Sequence, residues 1–464
     1  MDASTPPRRS WLHGPWRWTA FILILLLFVL AGLWIVWHQV SLRRLAEAEA
    51  LVREVGLMTE LSQLDVSIPD ADNAARPLEE AFALLCHPDP GKGYAPGKLS
   101  ANAIHPDYTA MFAIAHRHDK WTEEEWQSFG KIWSENRAKQ IRALLSEAAR
   151  RPRLAWTRDF GHGAIMPMPE IGCMRDLARL IEIGAAWERR GLSHAADMSY
   201  LSDLLIVAHL YSASPSTAID QLVAISIASI ATKALLHSAP AMSEEQERCL
   251  RMMILGFNPM REVSHSLDVE QLAFGRPGFQ LARLNPHEMH ILGGGSPFRW
   301  VPKPIASTII IGDQSAYLTM MARIISAARM NDPLPDINHE ITAASSFWRW
   351  SHPLTVMIMP SLTLTFGNAM RHQRSLGFLL TVLDVHAAHD ASGIWPTALP
   401  PLPGQYASLD RSAWTLESRP DGFTLTAPPL PGDRSSKELL WKFPGGTLAP
   451  PRDAAARPGI PATP

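Results

Sequence analysis

The sequence predicts a mainly α-helical protein with an N-terminal transmembrane helix, a body of antiparallel helical hairpins, and a small C-terminal α+β module containing a β-hairpin. Three observations support this fold class. An uncharged apolar run occupies residues 19–37, helical apolar patterns with capping signals recur through the middle of the chain, and alternating residues surround an Asp-Gly turn near the C-terminal end.

The run at residues 19–37 predicts a membrane anchor. Its helical length is about 28 Å at 1.5 Å per residue, which is close to the thickness of a hydrocarbon core. Three tryptophans precede the run and two close it, and indole side chains prefer the headgroup level of a bilayer. They are Trp11, Trp16, Trp18, Trp34 and Trp37. Residues 1–18 are then a short cytoplasmic tail.

A cleaved signal peptide is the alternative for this run. Signal peptides have a shorter apolar region followed directly by a small-residue cleavage site, whereas the nearest such pattern, Ala46-Glu47-Ala48, lies beyond two arginines. Charge barely decides the orientation, because arginines lie near both ends of the run. We expect the short basic tail to stay inside and the bulk of the chain to lie on the outer, periplasmic side of a bacterial cytoplasmic membrane.

Composition excludes several classes of protein. The net charge is −2, so no bulk basic field attracts nucleic acid, and we expect no nucleic-acid partner. Cys86, Cys173 and Cys249 are odd in number and far apart, which excludes a disulfide framework and any C-x-x-C motif. Whether one pair of these cysteines forms a bridge is left open.

Residues 41–64 are rich in helix-forming residues and predict a helical stalk after the anchor. Residues 70–360 predict an α-helical body. Two capping boxes open helices in this body, and the first of these helices is expected to continue to about residue 150. The boxes are Thr122 with Glu125 and Ser243 with Gln246.

Three consecutive helices are predicted in the middle of the body, over residues 169–190, 193–212 and 218–236. Short connections require such helices to lie antiparallel and to pack face to face. The apolar stretch 221–232 is too short to span a membrane and predicts a buried core helix. The tetratricopeptide signature is absent, so the body is interpreted as a repeat-like or bundle domain.

Residues 258–304 contain three consecutive glycines and several prolines, and this looser pattern predicts an irregular crossing segment. Regular helix is predicted again over residues 313–330 and 361–389. The uncharged stretch 353–366 is shorter than a membrane span, and membrane contact there is left open as an alternative.

Residues 361–444 predict a long helix followed by a small β-sheet. Two short alternating runs flank Pro420-Asp421-Gly422, and an Asp-Gly turn in this setting is the strongest short signal for a β-hairpin. Residues 437–443 can supply a third strand. Residues 445–464 predict a disordered tail.

The C-terminal module resembles the pattern of a helix, G-x-[WY]-P-x-x-L and a small antiparallel sheet that pseudopilin-type head domains contain. Here His386 stands in place of the usual tyrosine, and the motif residues are Gly393, Trp395, Pro396 and Leu399. Residues 177–250 are similar to a large uncharacterised family of bacterial membrane-anchored helical proteins that carries the same module. The resemblance implies a helix stop and a packing corner at the motif, and it implies no particular activity.

The chain has 18 histidines, which raises the question of a metal site. Potential ligands lie close in sequence in two groups, which are His116, His118 and Asp119, and His386, His389 and Asp390. His287 and His290 lack the spacing of a zinc protease. Phosphate-binding glycine loops and serine-nucleophile motifs are absent from the sequence, so we predict no cofactor.

These observations favour a membrane-tethered protein that binds or scaffolds another protein, with the lipid bilayer as its second partner. One alternative is a membrane-anchored, metal-dependent hydrolase whose ligands converge only in three dimensions. Its candidate ligands are His105, His116, His118, Asp119 and His162. The second alternative is a pilin-like assembly component, which requires the C-terminal module to be an independent head.

Overall fold

The computed structural model describes residues 16–64, 67–86, 108, 111, 120–161, 166, 168, 170–191, 199–239, 242–287, 298–332, 337–344, 348, 351–430 and 437–443. Over these residues the protein is mainly helical, with an apolar helix at the N-terminal end and a small three-stranded antiparallel sheet near the C-terminal end. The predicted fold class is confirmed at this level.

Helix α1 spans Trp16–Glu54 and contains both the apolar run and most of the predicted stalk. Its apolar part is exposed, and it is long and apolar enough to cross a membrane. Its second half instead packs against the body, where Leu45, Ala48 and Val52 are buried. The predicted stalk therefore belongs to the packed body, because its apolar face is part of a hydrophobic core.

Among the described residues of the first half of the chain, seven named helices follow α1. They are α2 (Ala75–Cys86), α3 (Glu123–Ser134), α4 (Asn136–Ala149), α5 (Glu170–Gly191), α6 (Ser199–Ala213), α7 (Ala218–Ser238) and α8 (Glu244–Gly256). Both predicted capping boxes form, at Thr122 and Ser243. The prediction of a single helix from residue 122 to about residue 150 is wrong. The backbone of Glu135 is extended, with φ −64° and ψ 156°, and it separates α3 from α4.

Helix α7 contains the apolar stretch that was predicted to be a core helix. Most of it is buried inside the protein, as expected. Its N-terminus is capped by Thr217, whose side chain accepts the backbone N–H of Asp220. Pro215 precedes this cap, and the predicted start of the preceding helix at residue 193 lies outside the described residues.

The second half of the chain forms a further set of helices. They are α9 (Pro259–Glu270), a π-helical turn (Gln271–Gly275), α10 (Arg276–Leu284), α11 (Lys303–Met330), α12 (Ile337–Ala343) and α13 (Pro353–Ser392). The prediction of an irregular segment at 258–304 is thus wrong for its described part, which is mostly helical. Asn258 caps α9 and Pro259 is its first residue. The π-helical turn at Gln271–Gly275 then connects α9 with α10.

Helix α13 has 40 residues. The sequence predicts the end of the body at residue 360 and the start of a new helix at residue 361, but both positions lie inside α13. Its first part is a core helix, since Leu354, Met359 and Phe366 are buried. The buried Asp313 of α11 caps it, accepting the backbone N–H of Leu354 at 2.8 Å. Burial raises the pKa of the Asp313 carboxyl to about 7, although hydrogen bonds from α13 oppose that rise.

The sheet contains β1 (Thr415–Arg419), β2 (Gly422–Ala427) and β3 (Leu439–Phe443), in the order β1-β2-β3. The hairpin closes with Arg419 opposite Gly422, as the Asp-Gly turn predicts. The indole N–H of Trp441 donates to the backbone carbonyl of Leu236 in α7 at 3.2 Å. The sheet thus shares its hydrophobic core with the body.

Two main hydrophobic cores result. The first is formed by α2–α8, the second part of α13 and the sheet, and the second is formed by α1, α9–α12 and the first part of α13. A buried ionic network lies in the first half of the chain, where the Arg158 guanidinium contacts Glu170 and Asp220. All three side chains are at most 6% exposed. Burial acts to raise the pKa of Asp220, but the hydrogen bonds and charge of Arg158 lower it.

Candidate functional site

A groove of about 740 Å³ opens beside helices α6 and α9. Its lining is formed by His209 and Ala213 of α6, Gly256, Asn258, Arg261, Glu262, Ser264 and His265 of the α8–α9 region, and Arg329 of α11. Ligand pockets in proteins have volumes of this order. We call this site the polar groove, because most of its lining side chains can donate or accept hydrogen bonds.

Helix α9 presents most of these groups, and its start fixes their position. The Asn258 side chain accepts the backbone N–H of Arg261 at 3.1 Å, and Pro259 occupies the first turn. Residues three and four apart share a helix face. Arg261 and His265 therefore face the polar groove, while Val263 is buried in the second core.

A histidine–carboxylate pair stands in the wall of the polar groove. The Nδ1 atom of His209 lies 2.7 Å from Oε1 of Glu262. The Phe257 ring stacks on the imidazole with its centroid 4.3 Å away, and the Asn258 backbone N–H donates to Glu262 at 3.2 Å. Because Nδ1 lies beside the carboxylate, Nε2 is the ring nitrogen left to contact a ligand.

Glu262 is ionised in this setting. Burial acts to raise the pKa of its carboxyl, but hydrogen bonds from His209, Ser212 and the Asn258 backbone outweigh it and lower the pKa. The Glu262 carboxylate thus already accepts hydrogen bonds from groups of the protein itself, and these stabilise its charged form.

A second, much smaller cavity of about 10 Å³ lies behind the pair and is also lined by His209 and Glu262. It has the size of a single water-sized probe. His372 also lines this cavity, and burial lowers the pKa of its imidazole to about 4, so that it is neutral at pH 7. In the described part of the chain, Nδ1 of His372 has no hydrogen-bond partner.

Two guanidinium groups give the polar groove its charge. Arg261 is exposed and has no ion-pair partner among the residues that the structure describes. Arg329 donates to the carbonyl of Val55 at 2.6 Å and lies 3.5 Å from the Asp268 carboxylate. Burial lowers the pKa of His265, so this imidazole adds no charge at pH 7. The polar groove therefore suits an anionic group such as a carboxylate, which guanidinium groups bind in bidentate geometry.

The tryptophans predicted for the membrane interface lie on α1, apart from Trp11, which is outside the described residues. Trp16 and Trp18 are exposed at its start. Trp34 and Trp37 lie where the apolar run ends, and the indole N–H of Trp34 donates to Oγ1 of Thr308 in α11 at 3.2 Å. Trp34, one of the tryptophans predicted for the membrane interface, thus joins α1 to the body.

The motif residues of the C-terminal module lie together at the end of α13. Gly393 has φ +71°, and its N–H donates to the carbonyl of His389, which ends the helix. The Trp395 ring stacks on His389 at 3.8 Å, and the Pro396 carbonyl accepts the Ser418 hydroxyl. Leu399 packs against the first core. None of these residues lines the polar groove.

The predicted metal ligands do not form a cluster where they can be described. No group of three or more histidine, cysteine, aspartate or glutamate side chains is placed to hold a metal ion within the described ranges. His386 is enclosed by aromatic rings, and the ring of His287 bonds the Val301 carbonyl. The other candidates, His105, His116, His118, Asp119, His162 and His290, lie outside the described residues.

Sequence reasoning missed the polar groove because its residues belong to separate segments. One local signal was available, since Asn258 followed by Pro259 is a helix start. A helix beginning there places Arg261 and His265 on one face.

No protein-family model, no curated protein and no solved structure matches this chain. The resemblance of the C-terminal module and of residues 177–250 to known families stays a prediction, and the function is argued from the residues of the chain itself.

Proposed function

We propose that the protein is a membrane-tethered binding protein that holds a partner protein at the outer face of a bacterial cytoplasmic membrane. In this proposal α1 is the anchor with its N-terminus inside, and packed helical hairpins form the binding surface. An acidic segment of the partner occupies the polar groove. The observation that carries the proposal is the presence of Arg261 and Arg329 in a groove whose carboxylate, Glu262, is already bound by His209.

The charges of the polar groove support an acidic ligand. A bound carboxylate would meet Arg261, which has no ion-pair partner among the described residues, and next to it Arg329, which already contacts the Asp268 carboxylate. Hydrogen bonds to charged groups contribute about 1.5–3 kcal/mol each. An incoming cation would meet Arg261, which no ion pair neutralises among the described residues. Helical surfaces of this kind bind partners without any catalytic group.

The test measures binding of a fluorescent peptide of twelve glutamates to the full-length protein in nanodiscs of uncharged lipid. We expect Arg261→Glu to weaken binding by about tenfold or more, because it replaces an attractive charge with a repulsive one. Arg419→Glu on β1, far from the polar groove in sequence, is the matched control and should bind as the wild type does. An equal loss of peptide binding in both variants would show that only the net charge of the protein matters, and this result would overturn the proposal.

A second experiment connects the polar groove with a cellular partner. A photo-crosslinking amino acid in place of Ala213, an exposed residue of the groove lining, is introduced into the full-length protein in cells. We expect a crosslinked protein that disappears when Arg261→Glu is added. A product that persists unchanged in that variant would contradict binding through the polar groove.

A hydrolase is the second candidate, and the pair of His209 and Glu262 favours it. A histidine held by a buried carboxylate is the arrangement of a general base and its orienting group. Hydrolysis of ester, phosphate or peptide substrates that is lost in His209→Ala, with stoichiometric metal in the purified protein, would favour this candidate. No described contact favours the pilin-like candidate, because the sheet shares its core with the body.

A further inference from the structure

We infer that a second surface of the body, separate from α1, inserts into the headgroup layer of the bilayer and binds anionic lipid. This membrane-facing patch consists of Leu281, Leu284, Arg299, Trp300 and Lys303. The inference rests on the proposed function in one respect, namely that α1 crosses the membrane.

The contacts between α1 and α11 fix the level of the patch. The Thr308 hydroxyl lies 3.2 Å from the Trp34 indole nitrogen and 3.0 Å from Nδ1 of His38. Farther along, Gly312 lies against Ser41, and Arg329 bonds the carbonyl of Val55. The two helices therefore run in the same direction, with Thr308 beside the last turn of the apolar run.

The start of α11 lies deeper than Thr308. Lys303 precedes Thr308 by five residues, which corresponds to about 7.5 Å along the helix axis. The first turn of α11 is thus level with the last turns of the apolar run, within the outer part of the bilayer. A lysine there can extend its ammonium group to the headgroups while its stem stays in the apolar layer.

Trp300 precedes this turn and is 87% exposed, which is the largest exposure among the exposed large apolar side chains described. The Arg299 guanidinium lies over its ring, 5.2 Å from the centroid. An exposed indole beside basic side chains is typical of residues at the headgroup level of a membrane. In water the same indole would leave a large apolar surface hydrated.

The end of α10 lies next to the start of α11, since the ring of His287 contacts the carbonyl of Val301 at 2.9 Å. On α10, Phe279 and Ala282 are buried, whereas Leu284 is 59% exposed and Leu281 is 46% exposed. The helix thus has apolar residues on its outer face as well as its inner face. An adjacent bilayer removes this outer face from water.

The charge of this region favours anionic lipid. Residues 271–312 contain four basic residues and a single acidic residue, Glu288. The basic residues are Arg276, Arg283, Arg299 and Lys303. Basic side chains close to a membrane surface are attracted to anionic headgroups.

The test places a fluorescent NBD label on single cysteines of the full-length protein in liposomes of phosphatidylcholine and phosphatidylglycerol. The three native cysteines are replaced by alanine. The labelled positions are Trp300→Cys for the patch, Leu27→Cys for the apolar run, and Ile394→Cys, an exposed apolar position beyond the far end of α13. Quenching by lipids with a spin label near the headgroup is compared at positions 300 and 394, and quenching by lipids with a spin label near the end of an acyl chain is measured at position 27.

We expect the label at position 300 to be quenched at least threefold more than the label at position 394. A label at position 27 that resists lipid quenching would contradict the anchor itself. Quenching at position 27 without quenching at position 300 would overturn the patch alone, so the two failures are distinguishable.

A charge-reversal variant tests the lipid class. Arg299→Glu with Lys303→Glu should reduce quenching of the label at position 300 by about half or more in liposomes that contain phosphatidylglycerol. In liposomes of phosphatidylcholine alone the same variant should change little. An equal reduction in both lipids would contradict recognition of anionic headgroups.

Discussion

At the scale of single residues, His386 shows how a potential ligand becomes a core side chain. The rings of Trp395, Phe423, Trp441 and Phe443 surround it, with centroids 4.9 to 5.6 Å from its own. Burial lowers the pKa of His386 to about 4, and its Nε2 atom has no hydrogen-bond partner among the described residues. Three of these rings come from strands that follow α13, so the residues next to His386 in sequence do not reveal the enclosure.

The pKa of His386 leads to a prediction for His386→Phe. In the unfolded chain a histidine has a pKa of about 6.5. Between about pH 6.5 and 4, therefore, the unfolded state binds a proton at His386 whereas the folded state does not. Through His386, the free energy of unfolding of the wild type therefore decreases as the pH falls from about 6.5 to 4. We expect the stability of the variant relative to the wild type to rise by about 2–3 kcal/mol between pH 7.5 and 4.5.

The measurement is chemical unfolding of both full-length proteins in the same detergent at the two pH values. The difference between the proteins isolates His386, because carboxyls such as Asp313, with a raised pKa, change stability in the opposite direction in both. A difference that does not vary with pH would contradict the enclosed, neutral imidazole.

At the scale of helices, glycine permits the close approach of α3 and α5. A Cβ atom at Gly184 would collide with the Trp133 ring, whereas at Gly172 on the same helix a Cβ atom meets nothing within 4 Å. We expect Gly184→Ala to destabilise the protein by about 1–3 kcal/mol through overpacking. Gly172→Ala is the matched control and should be neutral or stabilising, because alanine is the better helix former. Thermal unfolding of the two variants checks this, and an equal response would contradict it.

The ionic network of Arg158 connects the segment before α5 with α7. Arg158→Met leaves the carboxylates of Glu170 and Asp220 without their cation in a buried site. We expect a loss of about 3–5 kcal/mol in the free energy of unfolding, because an uncompensated buried charge is costly. Arg248→Ala, which removes an exposed ion pair with Glu245, is the control and should have no measurable effect. Denaturant unfolding distinguishes the two, and similar small losses would show that the network is not buried as described.

At the scale of the whole molecule, local patterns predicted the helical class, the apolar N-terminal helix and the sheet. Capping boxes, an apolar run and an Asp-Gly turn are read from neighbouring residues. The polar groove could not be predicted in this way, because His209, Glu262 and Arg329 come from three helices that are distant in sequence. The packing of residues 41–57 on the body was missed for the same reason, since their partners are in the second half of the chain.

This packing predicts how the chain responds to truncation. A chain that begins at residue 39 lacks the apolar run but keeps Leu45, Val52 and Leu57 in the second core, so we expect it to be monodisperse and helical. A chain that begins at residue 59 exposes the matching face of α11 and should aggregate, because each lost side chain contributed about 1.5–3 kcal/mol of burial. Size-exclusion chromatography and circular dichroism check this, and equal behaviour of the two chains would contradict it.

In the proposed function, the unbroken course of α1 has a consequence for the partner. From Trp37, at the end of the apolar run, to Val55, beside Arg329 of the polar groove, the chain advances by about 27 Å if helical. Because α1 is part of the second core, an α1 that crosses the membrane as proposed would act as a spacer of fixed length and hold the polar groove at one height above the bilayer. A membrane neighbour with a shorter exposed part could not then reach the polar groove. The protein would thus select its ligands by how far they project, before their charge is tested.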